Sequence, residues 1–149
     1  MDITKTNQFM ETQWESEIVP TLSTYIEIPN ISPMFDKEWE TNGLLIKAAN
    51  HLVQWTKDQE LKGCKVELFN EPTRTPMILV EVDGTHANAE TFLFYGTYLI
   101  LLRMLIFKGH LDKQPHMVGW REGLGAAKPV IENDKLYGRG SSDDGYSLF

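Results

Sequence analysis

Apolar side chains in this chain recur first at helical spacing and then in alternation. Phe9, Met10, Trp14, Ile18, Leu22, Tyr25 and Ile26 fall three and four residues apart, which predicts a helix over about 6–26 with one apolar stripe. Pro20 has no N–H to donate, so a kink or the start of a second segment is expected there. Pro29 ends the pattern, and 29–36 (PNISPMFD) reads as a loop. A second helix is predicted over about 41–61, capped by Thr41 or Asn42 and stopped by Gly63. Its buried face is expected to be Leu45, Ala48, Ala49, Leu52 and Trp55, with His51 partly exposed.

Alternation follows. The stretch 65–69 (KVELF) predicts a strand, 70–76 a turn, and 77–82 (MILVEV) a second strand closed by Asp83-Gly84. Residues 84–90 form a polar loop in which His86 reads as solvated. A third apolar segment, Thr91 to Phe107, is too long for one ordinary strand. It is also shorter than the about 20 residues of a membrane span, and Arg103 lies within it, which counts against insertion. Two helices followed by strands predict an α/β protein, a sandwich with a largely buried central sheet.

Composition narrows the function classes. The chain has 149 residues, enough for one domain that buries about 70% of its unfolded surface. Net charge is −7, and lysine and arginine are scattered, so nucleic acid is not an expected partner. Nor is a membrane. The single cysteine, Cys64, excludes an internal disulfide and reads as a small buried apolar residue at a strand start. The first residues are polar and acidic, unlike a secretory or transit signal, so a cytoplasmic location is the expectation.

The candidate chemistry lies between Gly109 and Gly145. His110 and Asp112 form a His-x-Asp pair, and Asp143 and Asp144 follow the turn Gly138-Arg139-Gly140. Imidazole and carboxylate are the ligands that zinc prefers. At spacing i, i+2, Asp112 can accept a hydrogen bond from one ring nitrogen of His110 while the other faces a metal. Leu136-Tyr137 is expected to be a short strand feeding the glycine turn, which would set Asp143 at a strand end, where it could bridge two metals beside His110. Arg139 is expected to brace the turn and Trp120 to anchor a loop. Lys113 is expected to be structural and His116 a loop histidine.

The pair alone is weak evidence, but its neighbours occur in a telling order. Gly109-His110-Leu111-Asp112-Lys113-Gln114-Pro115 is followed by Gly119-Trp120-Arg121-Glu122-Gly123-Leu124-Gly125, then Pro129-Val130-Ile131-Glu132, then the stretch from Leu136 to Gly145. This succession resembles the metallopeptidase family of carnosine dipeptidases, aminoacylases and succinyl-diaminopimelate desuccinylases, peptidase family M-twenty. Tyr25 to Pro33 and Arg74-Thr75-Pro76 resemble its cytosolic-dipeptidase branch. The resemblance spans nearly the whole chain. It implies a three-layer sandwich with a mostly parallel central sheet, and a hydrolase of dipeptides or N-acyl amino acids that uses two Zn2+ or Mn2+ ions. By position, His110 matches a metal ligand, Asp112 the catalytic aspartate that orients it, and Asp143 the carboxylate that bridges both metals. A cis peptide is implied at Asp143–Asp144, and a homodimer for the full-length protein.

The chain departs from that family in two ways. It ends at Phe149, before the family's glutamate pair, its distal histidine and its dimerisation domain, so 1–149 is expected to be a partial catalytic domain, inactive alone. Phe92 to Gly96 already resembles the strand that leads into Gly-His-x-Asp, so Thr97–Gly109 is expected to be an insertion of translated intron or gene-model origin. A different class of reading makes the chain a non-catalytic remnant that serves as an interaction module. A third tethers it to a membrane through Thr91–Phe107.

Overall fold

A computed structural model describes residues 2–84, 86, 93–94, 106–107 and 110–142. Helix α1 (Ile3–Gln13) starts where the Asp2 carboxylate accepts a hydrogen bond from the Lys5 N–H, 3.3 Å away. It runs without a break through a π-helical turn (Trp14–Ile18) into α2 (Val19–Glu27). The expected kink is therefore absorbed as a change of helix type. Pro20 cannot donate to the carbonyl four residues back, and its ring would crowd it. The widened turn before it answers this, with the Val19 N–H donating to the Trp14 carbonyl five residues back.

The apolar stripe is buried only at its end. Leu22, Tyr25 and Ile26 are enclosed, whereas Phe9 is 64% and Met10 61% exposed. Spacing made the stripe but packing partners decide its burial, and α1 buries no residue among those described.

Helix α3 (Leu44–Asp58) packs Leu45, Ala48, Ala49 and Leu52 inward as expected, with Val53 and Thr56 beside them, while Trp55 stays half-buried. Gly43, at φ +72°, takes the N-cap position; Asn42 assists by accepting from the Leu44 N–H at 3.0 Å. The helix stops well before Gly63, because Glu60 turns into the left-handed region at φ +49°. His51 is half-buried, and its Nε2–H donates to the Thr21 carbonyl at 2.9 Å, tying α3 to α2.

The sheet differs from the expectation. β1 (Cys64–Phe69) and β2 (Met77–Val82) pair antiparallel, from Cys64 opposite Val82 to Phe69 opposite Met77. β5 (Val130–Glu132) and β6 (Lys135–Tyr137) form a second antiparallel pair. β3 (Leu93–Phe94) and β4 (Ile106–Phe107) pair in parallel over two residues each. The described residues thus form a mixed α/β structure of helices and three two-stranded sheets, not a three-layer sandwich with a mostly parallel central sheet. The reason is connection length: 70–76 suffices to fold β2 back on β1, whereas a parallel neighbour needs a crossover of a dozen residues or more. Most of Thr97–Gly109 lies outside the described residues. No helix among the described residues is long and apolar enough to cross a membrane.

The core gathers Leu22, Tyr25, Ile26, Ile28, Ala48 and Leu52, with Ile78, Leu111 and Leu136 packed against it. Each buried aliphatic side chain contributes about 1.5–3 kcal/mol. Two of the outer three, Leu111 and Leu136, flank the stretches that carry the candidate chemistry.

Candidate metal-ligand pair at the end of helix α2

The candidate site is built on the C-terminal end of α2. A helix end presents carbonyls with no partner inside the helix and a partial negative charge. Here those carbonyls and the segment after them receive the His110–Lys113 stretch. The Tyr25 hydroxyl donates to the Leu111 carbonyl at 2.8 Å, and Asn30 Nδ2 donates to the same oxygen at 2.7 Å. The Ser32 N–H donates to the Lys113 carbonyl at 2.8 Å. Lys113 is enclosed, with its Nζ on the carbonyls of Tyr25, Ile26 and Ile28. Leu111 and Lys113 therefore face the core, and His110 and Asp112 meet each other outside it.

His110 Nδ1 lies 2.9 Å from the Asp112 carbonyl oxygen and 3.4 Å from Asp112 Oδ1. The expected hydrogen bond to the carboxylate is thus replaced by one to the Asp112 main-chain oxygen, the closer acceptor, with the carboxylate standing beside it. A carbonyl can only accept, so Nδ1 carries a proton, and in the neutral ring the lone pair is then on Nε2. That is the tautomer a histidine ligand needs when it binds through Nε2.

The turn that leads to Asp143 reaches the same helix end. The β5–β6 hairpin closes through Asn133 and Asp134, both with positive φ (52° and 58°), the geometry of a type I′ turn. It delivers Gly138 against Ile26, so closely that a Cβ there would lie 3.2 Å from Ile26 Cδ1. Arg139 then braces the turn, as expected of it: its N–H donates to the Ala126 carbonyl at 2.8 Å and its Nη2 to the Pro115 carbonyl at 3.2 Å. Pro115 is three residues beyond Asp112, so the two stretches meet at one place. Trp120 is half-buried in the intervening loop, which an ion pair between Arg121 and Glu132 ties to the hairpin. Asp143 and the Asp143–Asp144 peptide lie outside the described residues.

His116 sits at this junction. Its side chain is exposed, but partial loss of hydration against its neighbours, and then the positive charges of Lys113 and Arg139, lower its pKa from the ordinary 6.5. Sequence reasoning treated it as a plain loop histidine, because neither cation's position is visible in the order of residues. The roles of Tyr25 and Asn30 were missed as well. Tyr25 looks like one more member of an apolar stripe, and Asn30 like a loop residue.

Among the described residues, no three histidine, cysteine, aspartate or glutamate side chains group so as to hold a metal. The described donor set is one imidazole in the ligand tautomer with its orienting aspartate. This fits a borderline metal such as zinc as one ligand of several. A groove of about 410 Å³, lined by Glu17, Thr21, His51, Trp55 and Asp58 among others, lies between the helices and shares no residue with this site. No known family's sequence model matches the chain, and no curated protein matches it.

Proposed function

We propose that this chain supplies part of a two-metal site in a hydrolase of amide bonds, acting on dipeptides or N-acyl amino acids. The supporting observation is the His110–Asp112 contact, in which Nδ1–H donates to the Asp112 carbonyl, so that the neutral ring offers its lone pair at Nε2. In this reading His110 ligates one ion and Asp112 orients it. The resemblance of Leu136 to Gly145 assigns Asp143 as the bridging carboxylate. Bound zinc or manganese would polarise the scissile carbonyl and lower the pKa of a shared water. Catalytic zinc takes about three protein ligands per ion, so His110 and Asp143 do not complete two sites, and the chain alone is inactive.

Calorimetric titration of the 149-residue chain with zinc tests this. Binding is expected for the wild type, lost in His110→Ala, and weakened about 10- to 100-fold in Asp112→Asn. Equal binding by wild type and His110→Ala would remove the ligand role. Dipeptide turnover by the chain alone, with zinc or manganese added, would overturn its inactivity.

One observation favours a second reading, a non-catalytic interaction module. Ile3, Phe9 and Met10 on α1 and Met77 and Val82 on β2 are more than half exposed. Where such side chains adjoin in one patch, contact with another protein is what covers them. Metal content separates the two: stoichiometric zinc through His110 belongs to the hydrolase alone.

A further inference from the structure

The lysine next to the candidate pair is among the most deeply enclosed side chains described. Lys113 is 1% exposed, and its Nζ lies 2.7 Å from the Tyr25 carbonyl oxygen, 3.1 Å from that of Ile26 and 2.5 Å from that of Ile28. It also sits 4.2 Å from the centre of the Tyr25 ring, in cation–π range. An ammonium has three protons, and three carbonyls receive them. The acceptors belong to the end of α2, where the helix dipole favours a cation.

This arrangement sets a register. An unpaired buried charge costs several kcal/mol, so Lys113 can enter the core only where those carbonyls converge. A slip by one residue toward the N-terminus would bring the Asp112 carboxylate to the same oxygens, acceptor against acceptor. A slip the other way would bring Gln114, which is exposed here and carries no charge for the dipole. With Lys113 in place, Leu111 falls on the core and its carbonyl on the Tyr25 and Asn30 donors. His110 and Asp112 are then left to face each other. Among the described residues, the contacts of Leu111 and Lys113, on either side of Asp112, hold this stretch against α2.

We propose that Lys113 is the positioning residue of the His110–Asp112 pair: its buried ammonium, capping the end of α2, fixes the register in which the imidazole meets Asp112 and is protonated at Nδ1. It touches neither substrate nor metal in this role. The part of the proposal that concerns metal affinity rests on the hydrolase reading; the part that concerns the tautomer does not.

The test compares wild type with Lys113→Met and Lys113→Arg in the full 149-residue chain. Methionine keeps the length of the stem and removes the charge. Arginine keeps the charge but spreads its donors over a planar fork that cannot converge on one point. The readouts are the nitrogen NMR shifts of the His110 ring and the zinc affinity. The wild type is expected to show the Nδ1–H tautomer. Folded Lys113→Met is expected to lose that preference and bind zinc at least 10-fold more weakly, with Lys113→Arg in between. Should Lys113→Met not fold, Lys113→Arg is read by the same criteria.

Retention of the Nδ1–H tautomer in a folded variant would overturn the proposal. Loss of folding in both variants would make Lys113 a folding residue only, and would overturn it too. A wild type with the Nδ1–H tautomer and no zinc affinity would instead sink the hydrolase reading. In that case the loss of the tautomer in Lys113→Met would still support the positioning role.

Discussion

Gly138 is where the turn carrying Arg139 is pressed onto the helix that holds His110, and replacing it with alanine probes that approach. A Cβ on Gly138 would lie 3.2 Å from Ile26 Cδ1 and 3.5 Å from Ile26 Cβ, with Cγ2 closer than either. Ile26 is fully enclosed in the core cluster, so it has no space into which to retreat. Overpacking of this kind costs about 1–3 kcal/mol. The backbone at Gly138 has φ +150°, which adds about 1–3 kcal/mol for a residue with a side chain. The expected loss is therefore about 2–6 kcal/mol, read as a lower urea midpoint at unchanged slope. Gly119→Ala is the control. Gly119 also has positive φ, +90°, but a Cβ there would meet nothing within 4 Å, so only the backbone cost applies. The two variants should differ by the steric part, about 1–3 kcal/mol. The double variant Gly138→Ala with Ile26→Ala should lose less than the two single losses combined, by about 1 kcal/mol or more, because the new methyl enters the space that Ile26 leaves. If Gly138→Ala costs no more than Gly119→Ala, or if the double variant is additive, the turn does not rest on Ile26 and the two stretches of the site are not joined through α2.

Two further outcomes follow from other parts of the structure. Pro20→Ala restores a donor and removes the ring that the π turn accommodates, so the helix should become regular and the chain more stable by about 1–2 kcal/mol in a urea titration; a loss of stability would show that the π turn has another cause. His116 has a folded-state pKa lowered below 6.5, first by partial loss of hydration and then by Lys113 and Arg139, so the unfolded chain takes up its proton first as pH falls. Its contribution to stability is full above pH 6.5 and is lost as pH falls through the folded-state value. Melting curves between pH 7.5 and 5.5 should therefore show a smaller drop for His116→Gln than for wild type, and equal drops would refute the assignment.

Helix positions, the β1–β2 strands and the His110–Asp112 contact were legible in the residue order because each depends on neighbours a few positions apart. Spacing of three and four marked α2 and α3, alternation over 65–69 marked β1, and the i, i+2 relation brought Asp112 beside the His110 ring, though through its main-chain oxygen. The same local rules misled wherever the outcome depended on a partner distant in sequence. Phe9 and Met10 satisfy the helical period and remain exposed, because burial requires a facing surface and periodicity says nothing of one. The strands are expected in one mostly parallel sheet, and those described form separate pairs, because pairing is set by the length and path of connections. Lys113 illustrates the difference best. Its charge is written in the sequence, but only the fold brings the last carbonyls of α2 to it across more than eighty residues of chain. Short-range geometry can be read from spacing, whereas the compensation of a buried charge exists only once the chain has closed on itself.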